Sequence, residues 1–415
     1  MGEVFKFSVQ TAEAPIIEAK PRSLGGKIFS WSATWAATLF GLISVVCLLA
    51  ALVNIPLAQI AVLGYFLDSS AKIGRGGPLS SGFIGLKTAA KIGRWVLCAF
   101  LVLIPLRIVG LLWANAQIID PTSQQTIGLN GLYWVIAILT TVHILSALSC
   151  GGEIRHFFWP LMAPLFVLAR IAKRFRKQSD LPPKEWFVPK MIWGKLRQGT
   201  LYTQSRDDTL DFLQRLQLPH FFWLGLKGFV GSAIWLLLPT VLLTNSTHPR
   251  PGLAGLSIVL GMLIAVPVFM ILPMLQIQFA ADQKFGSLFD IRQAWARMRR
   301  TPLACLLALL LMLVLALPLF LLKIEKIPPE LFWLLSVLFI VLGWPARIIW
   351  GWVYRYAQQR ESHASRGIRW PIGILTAASA LIFAFAFFLT RYTSWNGTLS
   401  LFENHVFLLP APFWF

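Results

Sequence analysis

The chain has 415 residues, of which 57% are hydrophobic and 13% charged, and its formal net charge is +20. An ordinary soluble domain is about 25% charged, so the composition argues against a soluble globule. The positive charge would suit a nucleic-acid-binding protein, but no recognition motif accompanies it and it lies between apolar runs. Those runs are of about 20 residues, enough to cross about 30 Å of hydrocarbon. We therefore predict an all-α, polytopic helical membrane protein that binds no nucleic acid.

The polar residues 1–30 form a predicted cytoplasmic N-terminal segment without a cleaved signal peptide. The apolar stretch 31–67 is interrupted by Asn54, Pro56 and Gln59. We predict a helical hairpin that turns near Val53–Pro56, whose second arm is short for a crossing and could be re-entrant. One straight span is the alternative, but it would place the basic residues of the following loop outside the cell.

Two spans, 95–116 and 131–150, follow the hairpin and complete an N-terminal membrane block, 31–150. Before the first span, Lys87, Lys91 and Arg94 recur at i, i+4 and i+7. This spacing predicts a helix with one basic face, lying in the plane of the lipid headgroups.

Residues 151–220 form a basic connection with the densest charge at 170–177. Lys and Arg concentrate in the short cytoplasmic loops of membrane proteins, so this connection is predicted to be cytoplasmic and to orient the spans on both sides of it.

A C-terminal membrane block, 221–390, contains five predicted spans: 221–243, 252–273, 302–322, 331–350 and 370–390. Between the second and third, residues 276–300 are predicted to form one interfacial amphipathic helix, with Ser287 and Asp290 as a capping pair. The tail 391–415 is predicted to lie outside, on the outer interface. The resulting protein has about seven spans plus the hairpin in the plasma (inner) membrane, with its N-terminus in the cytoplasm and its C-terminus outside.

Motifs for chemistry are missing from the sequence. The four Cys residues show no CxxC spacing, and the six His residues show no paired metal-ligand spacing. No GxSxG elbow occurs. We predict a non-enzymatic protein without a cofactor or a metal ion.

Ionisable groups at membrane depth are the best functional candidates, because burying a charge there is costly. Arg107 and Arg347 each follow a proline by two residues, and each could bind a substrate anion or a lipid headgroup. The alternative is that both extend to an interface. Basic residues of the predicted cytoplasmic face are further candidate contacts for anionic lipid: Lys173, Arg174, Arg176, Lys177, Arg292, Arg297, Arg299 and Arg300.

Four stretches resemble a bacterial family of multi-pass membrane proteins of unknown function, DUF4013. They are Pro56–Arg94, Leu216–Leu243, Phe279–Asp290 and Tyr392–Pro410. The resemblance implies a plasma-membrane protein with cytoplasmic interfacial helices, and it implies no activity and no functional residue.

Two hypotheses on function remain. In the first, the basic cytoplasmic face binds anionic lipid or a protein partner. In the second, the chain transports a small solute or lipid through the region of Arg107 and Arg347. The diffuse positive charge and the almost wholly apolar spans favour the first.

Overall fold

The computed structural model describes residues 24–164, 168, 187–245 and 251–411. That part of the chain contains fourteen α-helices and no β-strand. The helices are α1 (Leu24–Val53), α2 (Ala58–Gly74), α3 (Leu86–Val102), α4 (Ile104–Ile119), α5 (Gln124–Ser149), α6 (Ile154–Phe157), α7 (Val188–Arg197), α8 (Leu201–Leu216), α9 (Leu218–Thr244), α10 (Pro251–Asp282), α11 (Ile291–Arg300), α12 (Pro302–Leu321), α13 (Phe332–Gln358) and α14 (Arg366–Thr393).

Seven segments in the described part of the chain are long and apolar enough to cross a membrane. They are Trp31–Val53, Gln124–Ser149, Leu201–Thr244, Gly252–Asp282, Pro302–Leu321, Pro329–Gln358 and Arg366–Thr393. The prediction of an all-α polytopic helical protein is confirmed.

The predicted span 95–116 is not one straight helix. It is divided between α3 and α4, which are bent by 44° at Leu103, and counting this pair as one span raises the total to eight. Pro105 follows the bend, and a proline has no N–H to continue the helical hydrogen bonds. Lys87, Lys91 and Arg94 lie in the first half of α3. The basic face predicted for a separate interfacial helix is therefore continuous with this span.

The described residues fall into two compact units, one up to Phe40 and one from Gly41 onward. In the first, the indole rings of Trp31 and Trp35 meet edge to face with centroids 5.8 Å apart, and both side chains are exposed. In the second, the chain breaks at the predicted hairpin turn, since α1 ends at Val53 and α2 begins at Ala58.

Helix α2, the second arm of the hairpin, is buried on all sides. Leu63, Leu67 and Ala71 belong to the main core with α9, α10, α12 and α14. Val62 and Tyr65 belong to a second core with α13 and the later part of α1. Its 17 residues span about 26 Å at 1.5 Å per residue, less than the hydrocarbon thickness. The expectation of a short arm is correct, and the helix forms the centre of the bundle.

Two glycines set the distance between α2 and α9. A Cβ atom added to Gly64 would lie 1.8 Å from the carbonyl oxygen of Phe221, and one added to Gly225 would lie 1.9 Å from that of Ile60. Side chains cannot occupy such space, so backbone meets backbone here. Small residues at such a contact are typical of packed membrane helices.

Helices α3, α5 and α6 share a smaller core, formed by Cys98, Ala147 and Phe157. No residue of α4 is fully buried. Its apolar side chains, such as Ile108 and Leu111, are exposed to the surroundings, which suits a helix facing lipid.

The single interfacial helix predicted at 276–300 is wrong, because three elements occupy this stretch. Helix α10 continues to Asp282, a 3-10 turn follows at Phe285–Phe289, and α11 begins only at Ile291. The carboxylate of Asp290 accepts a hydrogen bond from the N–H of Gln293 and so caps α11. Ser287 does not pair with it, since its hydroxyl donates to Asp282 instead.

The tail departs most from expectation. Instead of resting on a membrane surface, residues 403–411 are buried in the bundle, except for the half-buried Val406. The segment has no regular secondary structure, so its backbone groups need partners inside the protein. Side chains from three helices supply several of them.

Candidate functional site

One end of the bundle carries a cluster of basic residues. We call this end of the bundle the basic end. Helices α2, α10 and α13 finish there, and α12 and α14 begin there. Two arginines tie these helix ends together. Arg75 donates to the carbonyl oxygen of Ala280 over 3.0 Å, and Arg355 donates to that of Gly77 over 2.8 Å.

A cavity of about 590 Å³ opens at the basic end between α10, α11, α12 and α14. Its walls are largely apolar and include Met270, Met298, Pro302, Cys305 and Ala377. The lining also carries two arginines and two tryptophans: Trp295, Arg299, Arg369 and Trp370. The cavity thus combines an apolar interior with two cations and two amphipathic rings.

Helix α11 presents these groups because its two faces differ. Ala294 and Met298, one turn apart, are buried. On the other side the guanidinium of Arg299 lies over the ring of Trp295, 5.5 Å from its centroid. Both side chains are exposed, so the cation remains available to an anion outside the protein.

The other arginines predicted on this stretch have different surroundings. Arg297 points inward, where it donates to Gln278 Oε1 over 2.5 Å and covers the ring of Tyr354. Arg292 is exposed, and Arg300 is half-buried with its Nε atom lacking a hydrogen-bond partner among the described residues. Only Arg299 of this set lines the cavity. Lys173, Arg174, Arg176 and Lys177 lie outside the described residues.

Arg369 and Trp370 were not among the predicted site residues. They stand in the first turns of α14, and Gly373 and Ala377 follow on the same lining. The sequence does contain a pattern that could have identified them. A basic and an aromatic residue begin the span, and the small residues that follow four apart leave space beside the helix.

Arg347 lies in the middle of α13, because that helix continues to Gln358. The expectation that Arg347 extends to an interface is wrong, since its side chain is buried. Its Nη1 atom donates to Gln276 Oε1 and its Nη2 atom to the carbonyl oxygen of Val406. Gln276 in turn donates to Ser232 Oγ over 2.6 Å and to the carbonyl oxygen of Phe407 over 2.8 Å.

Arg107 does not join this network. It is exposed on α4, with its guanidinium 5.3 Å from the ring centroid of Phe100. The described structure therefore gives Arg107 and Arg347 separate surroundings and brings no single site together from them.

A buried ion pair closes the opposite end of the bundle. Lys323 Nζ lies 3.0 Å from Glu403 Oε2, and the two side chains are only 1% and 9% exposed. Burial lowers the pKa of Lys323, and the charge of Glu403 opposes that shift. The amide of Asn396 donates to the other carboxylate oxygen over 2.8 Å. No local pattern predicts this pair, because Lys323 stands in a connection predicted to lie outside and Glu403 in the tail predicted to rest on the outer interface.

No group of three or more His, Cys, Asp or Glu side chains suited to a metal ion occurs among the described residues. The four cysteines are free thiols, of which Cys305 borders the cavity and Cys47 is exposed. The cavity has no described carboxylate on its lining, so its lining is basic and apolar.

Part of the chain matches a known family. Residues 207–324 match the family described as "Protein of unknown function (DUF4013)". The resemblance to this family is confirmed over that range, which runs from within α8 to just beyond α12 and includes Ser232, Gln276, Arg299 and Lys323. Arg347, Arg369 and the tail lie outside it. Neither the curated proteins nor the solved structures include a match to this chain.

Proposed function

We propose that this protein is a non-enzymatic component of the plasma membrane that binds anionic lipid at its basic end, which faces the cytoplasm. The cavity lined by Arg299 and Arg369 carries the proposal. A phospholipid headgroup has a phosphate that two guanidinium groups can hold by charge-assisted hydrogen bonds. Its acyl chains require an apolar wall directly beside that phosphate, as the cavity provides.

The position of the aromatic residues supports a lipid rather than a soluble anion. Trp295 and Trp370 flank the two arginines, and tryptophan is enriched where hydrocarbon meets headgroups. Trp370 and Ile374 are 72% and 64% exposed, so the lining continues onto the outer surface of α14. A lipid could therefore enter sideways from the bilayer without crossing water.

The sidedness follows from the positive-inside rule. The basic end carries Arg75, Arg297, Arg299, Arg355 and Arg369 on helix ends and short connections, and anionic lipids of the inner leaflet attract such residues by about 1 kcal/mol each. Two arginines at one headgroup would contribute about 2 kcal/mol, or about a thirtyfold preference for anionic over zwitterionic lipid.

Native mass spectrometry of the purified full-length protein tests the proposal. The protein would be incubated with equal amounts of phosphatidylglycerol and phosphatidylcholine, and the lipid retained would be counted. We expect the double variant Arg299→Gln/Arg369→Gln to lose most of the preference for phosphatidylglycerol. The control Lys284→Gln/Arg366→Gln removes two exposed positive charges of the same region outside the cavity lining, and it should keep the preference.

Two results would contradict the proposal. Equal losses in both double variants would mean that the attraction is spread over the surface rather than concentrated in the cavity. An absence of preference in the unmodified protein would exclude anionic-lipid binding under these conditions.

The alternative, a transporter that uses Arg107 and Arg347 together, has weaker support, because the two residues have separate surroundings. Arg347 alone could take part in transport, since it is a buried cation in the middle of α13. Its partners lead to a separate inference.

A further inference from the structure

The cation of Arg347 has only neutral partners. Among the described residues its guanidinium meets the amide oxygen of Gln276 and the carbonyl oxygen of Val406, and no carboxylate forms an ion pair with it. A buried charge without a counter-charge is costly in a low-dielectric interior. The site would be better compensated by an anion than by the oxygens it now holds.

Its donors converge on the tail. Arg347 donates to the carbonyl of Val406, and the fully buried Gln276 donates to the carbonyl of Phe407. These two carbonyl oxygens belong to consecutive residues, so Arg347 and Gln276 hold two neighbouring oxygen acceptors of the tail. Gln276 is held in place by its second contact, to Ser232 on α9.

An apolar pocket adjoins these donors. The ring of Phe407 stacks on Phe269, with centroids 5.5 Å apart and planes at 6°, and meets Phe383 edge to face at 6.0 Å. The tail therefore places an apolar body in an aromatic pocket and its oxygens on a cation and an amide. An apolar monocarboxylate has the same combination of groups.

The tail itself is imperfectly satisfied in this position. Asn404 Nδ2 in the tail and Gln59 Oε1 on the adjacent helix α2 are buried and have no hydrogen-bond partner among the described residues. Each such atom destabilises the inserted state, because water would satisfy it after release. Several contacts thus stabilise the inserted tail, whereas the unsatisfied polar atoms destabilise it, as expected of a segment that can leave its site.

We propose that Arg347 and Gln276, with the aromatic pocket of Phe269 and Phe383, form an internal binding site for an apolar monocarboxylate. Residues 404–411 occupy this site at rest, and the ligand displaces them. The carboxylate replaces the two tail carbonyls, and the apolar body replaces the ring of Phe407. This site shares no lining residue with the lipid cavity and does not depend on it.

Thiol labelling in the full-length protein tests the inference. On a background without the native cysteines, a single thiol would be introduced as Leu408→Cys, at a position that is 7% exposed. Labelling by N-ethylmaleimide would be followed with 3-phenylpropionate as a water-borne probe and oleate in nanodiscs as a lipid-borne probe. We expect at least one of the two carboxylates to accelerate labelling about tenfold. The variant Leu399→Cys, 62% exposed, is the control and should label at an unchanged rate.

The neutral amide 3-phenylpropanamide separates charge from apolar partitioning. It should leave the labelling rate unchanged, and Arg347→Gln should abolish the response to both carboxylates. Arg347→Lys keeps the charge and should retain part of the response, which guards against misreading a misfolded variant. A response only to 3-phenylpropionate identifies a soluble ligand, and a response only to oleate identifies a ligand from the bilayer.

A second variant tests the competition with the tail. The side chain of Asn404 accepts hydrogen bonds from the N–H groups of Val406 and Phe407. Asn404→Ala removes these bonds, so the carboxylate concentration for half-maximal acceleration should fall about fivefold. The inference is overturned if neither carboxylate changes the labelling, if the amide acts equally, or if Arg347→Gln keeps the full response.

Discussion

Replacing Lys323 by methionine removes one half of the ion pair with Glu403. The remaining carboxylate would stay 9% exposed, with the amide of Asn396 as a hydrogen-bond donor. Removal of one partner from a buried pair costs about 3–5 kcal/mol, since it leaves an uncompensated buried charge. A Coulomb estimate at an effective dielectric constant of about 20 and the observed contact distance gives about 5.5 kcal/mol, close to the upper end of that range. We therefore expect Lys323→Met to lower the free energy of unfolding by about 4 kcal/mol.

The double variant Lys323→Met/Glu403→Leu should recover most of that loss. Replacing both members of a buried pair with apolar residues of similar volume is often neutral or stabilising. The four corners of this double-mutant cycle isolate the interaction between the two charges from the packing of their side chains.

The free energy of unfolding would be measured by titrating the protein in mixed micelles with sodium dodecyl sulfate and following its helicity. The pair Arg206–Asp207 is a matched control, because its atoms are 2.9 Å apart but its side chains are 53% and 62% exposed. Its disruption should cost no more than about 1 kcal/mol. The reasoning fails if Lys323→Met costs as little as the control, or if the double variant is as unstable as the two single variants added together.

Four further predictions follow from the packing and the charges. Gly225→Ala should lower the free energy of unfolding by about 1–3 kcal/mol or more in the same titration, the usual cost of overpacking, because the added methyl group would meet the backbone of α2. An unchanged stability would disprove the close contact with Gly64. Asp290→Ala should cost about 1 kcal/mol through loss of the α11 cap, whereas Asp290→Asn should cost less. Burial lowers the pKa of Lys323, so the unfolded chain keeps the proton of this side chain to a higher pH than the folded protein does. The free energy of unfolding of the unmodified protein, relative to that of Lys323→Met, should therefore rise with pH in the alkaline range, up to about pH 10.4. A difference that falls with pH would contradict the lowered pKa. Arg107→Gln should change stability by less than about 0.5 kcal/mol, as expected at an exposed position, and a larger loss in the titration would indicate a buried partner.

The sequence predicts well those features that depend on local composition. The long apolar runs identify the spans, because each helix must satisfy its own backbone groups in lipid. The interruption at Asn54 and Pro56 locates the hairpin turn for the same reason. The charge of 292–300 is evident from the sequence, whereas the break at Asp290, after which α11 carries Arg299 on the cavity lining, is not.

The features missed depend on contacts between distant parts of the chain. Gln276 and Arg347 are separated by 71 residues and Gln59 and Ala411 by 352, and no local pattern reveals such pairs. The tail contains polar residues and tryptophan, a composition equally typical of an interface. The sequence alone could not predict that donors from three helices would hold it inside.

The position of α2 has a consequence for biosynthesis. Gln59, near its start, donates to the carbonyl oxygen of Ala411 over 2.6 Å, and Arg75, just past its end, is bound to Ala280, 205 residues later. During translation α2 therefore emerges long before the segments that surround it. Its polar groups and its glycine surface must wait in the translocon or at the lipid boundary until those segments arrive. Helix α2 is thus made well before some of the segments that enclose it. A ribosome that stalls before residue 400 therefore leaves a nascent protein with an open core for quality-control proteases to recognise.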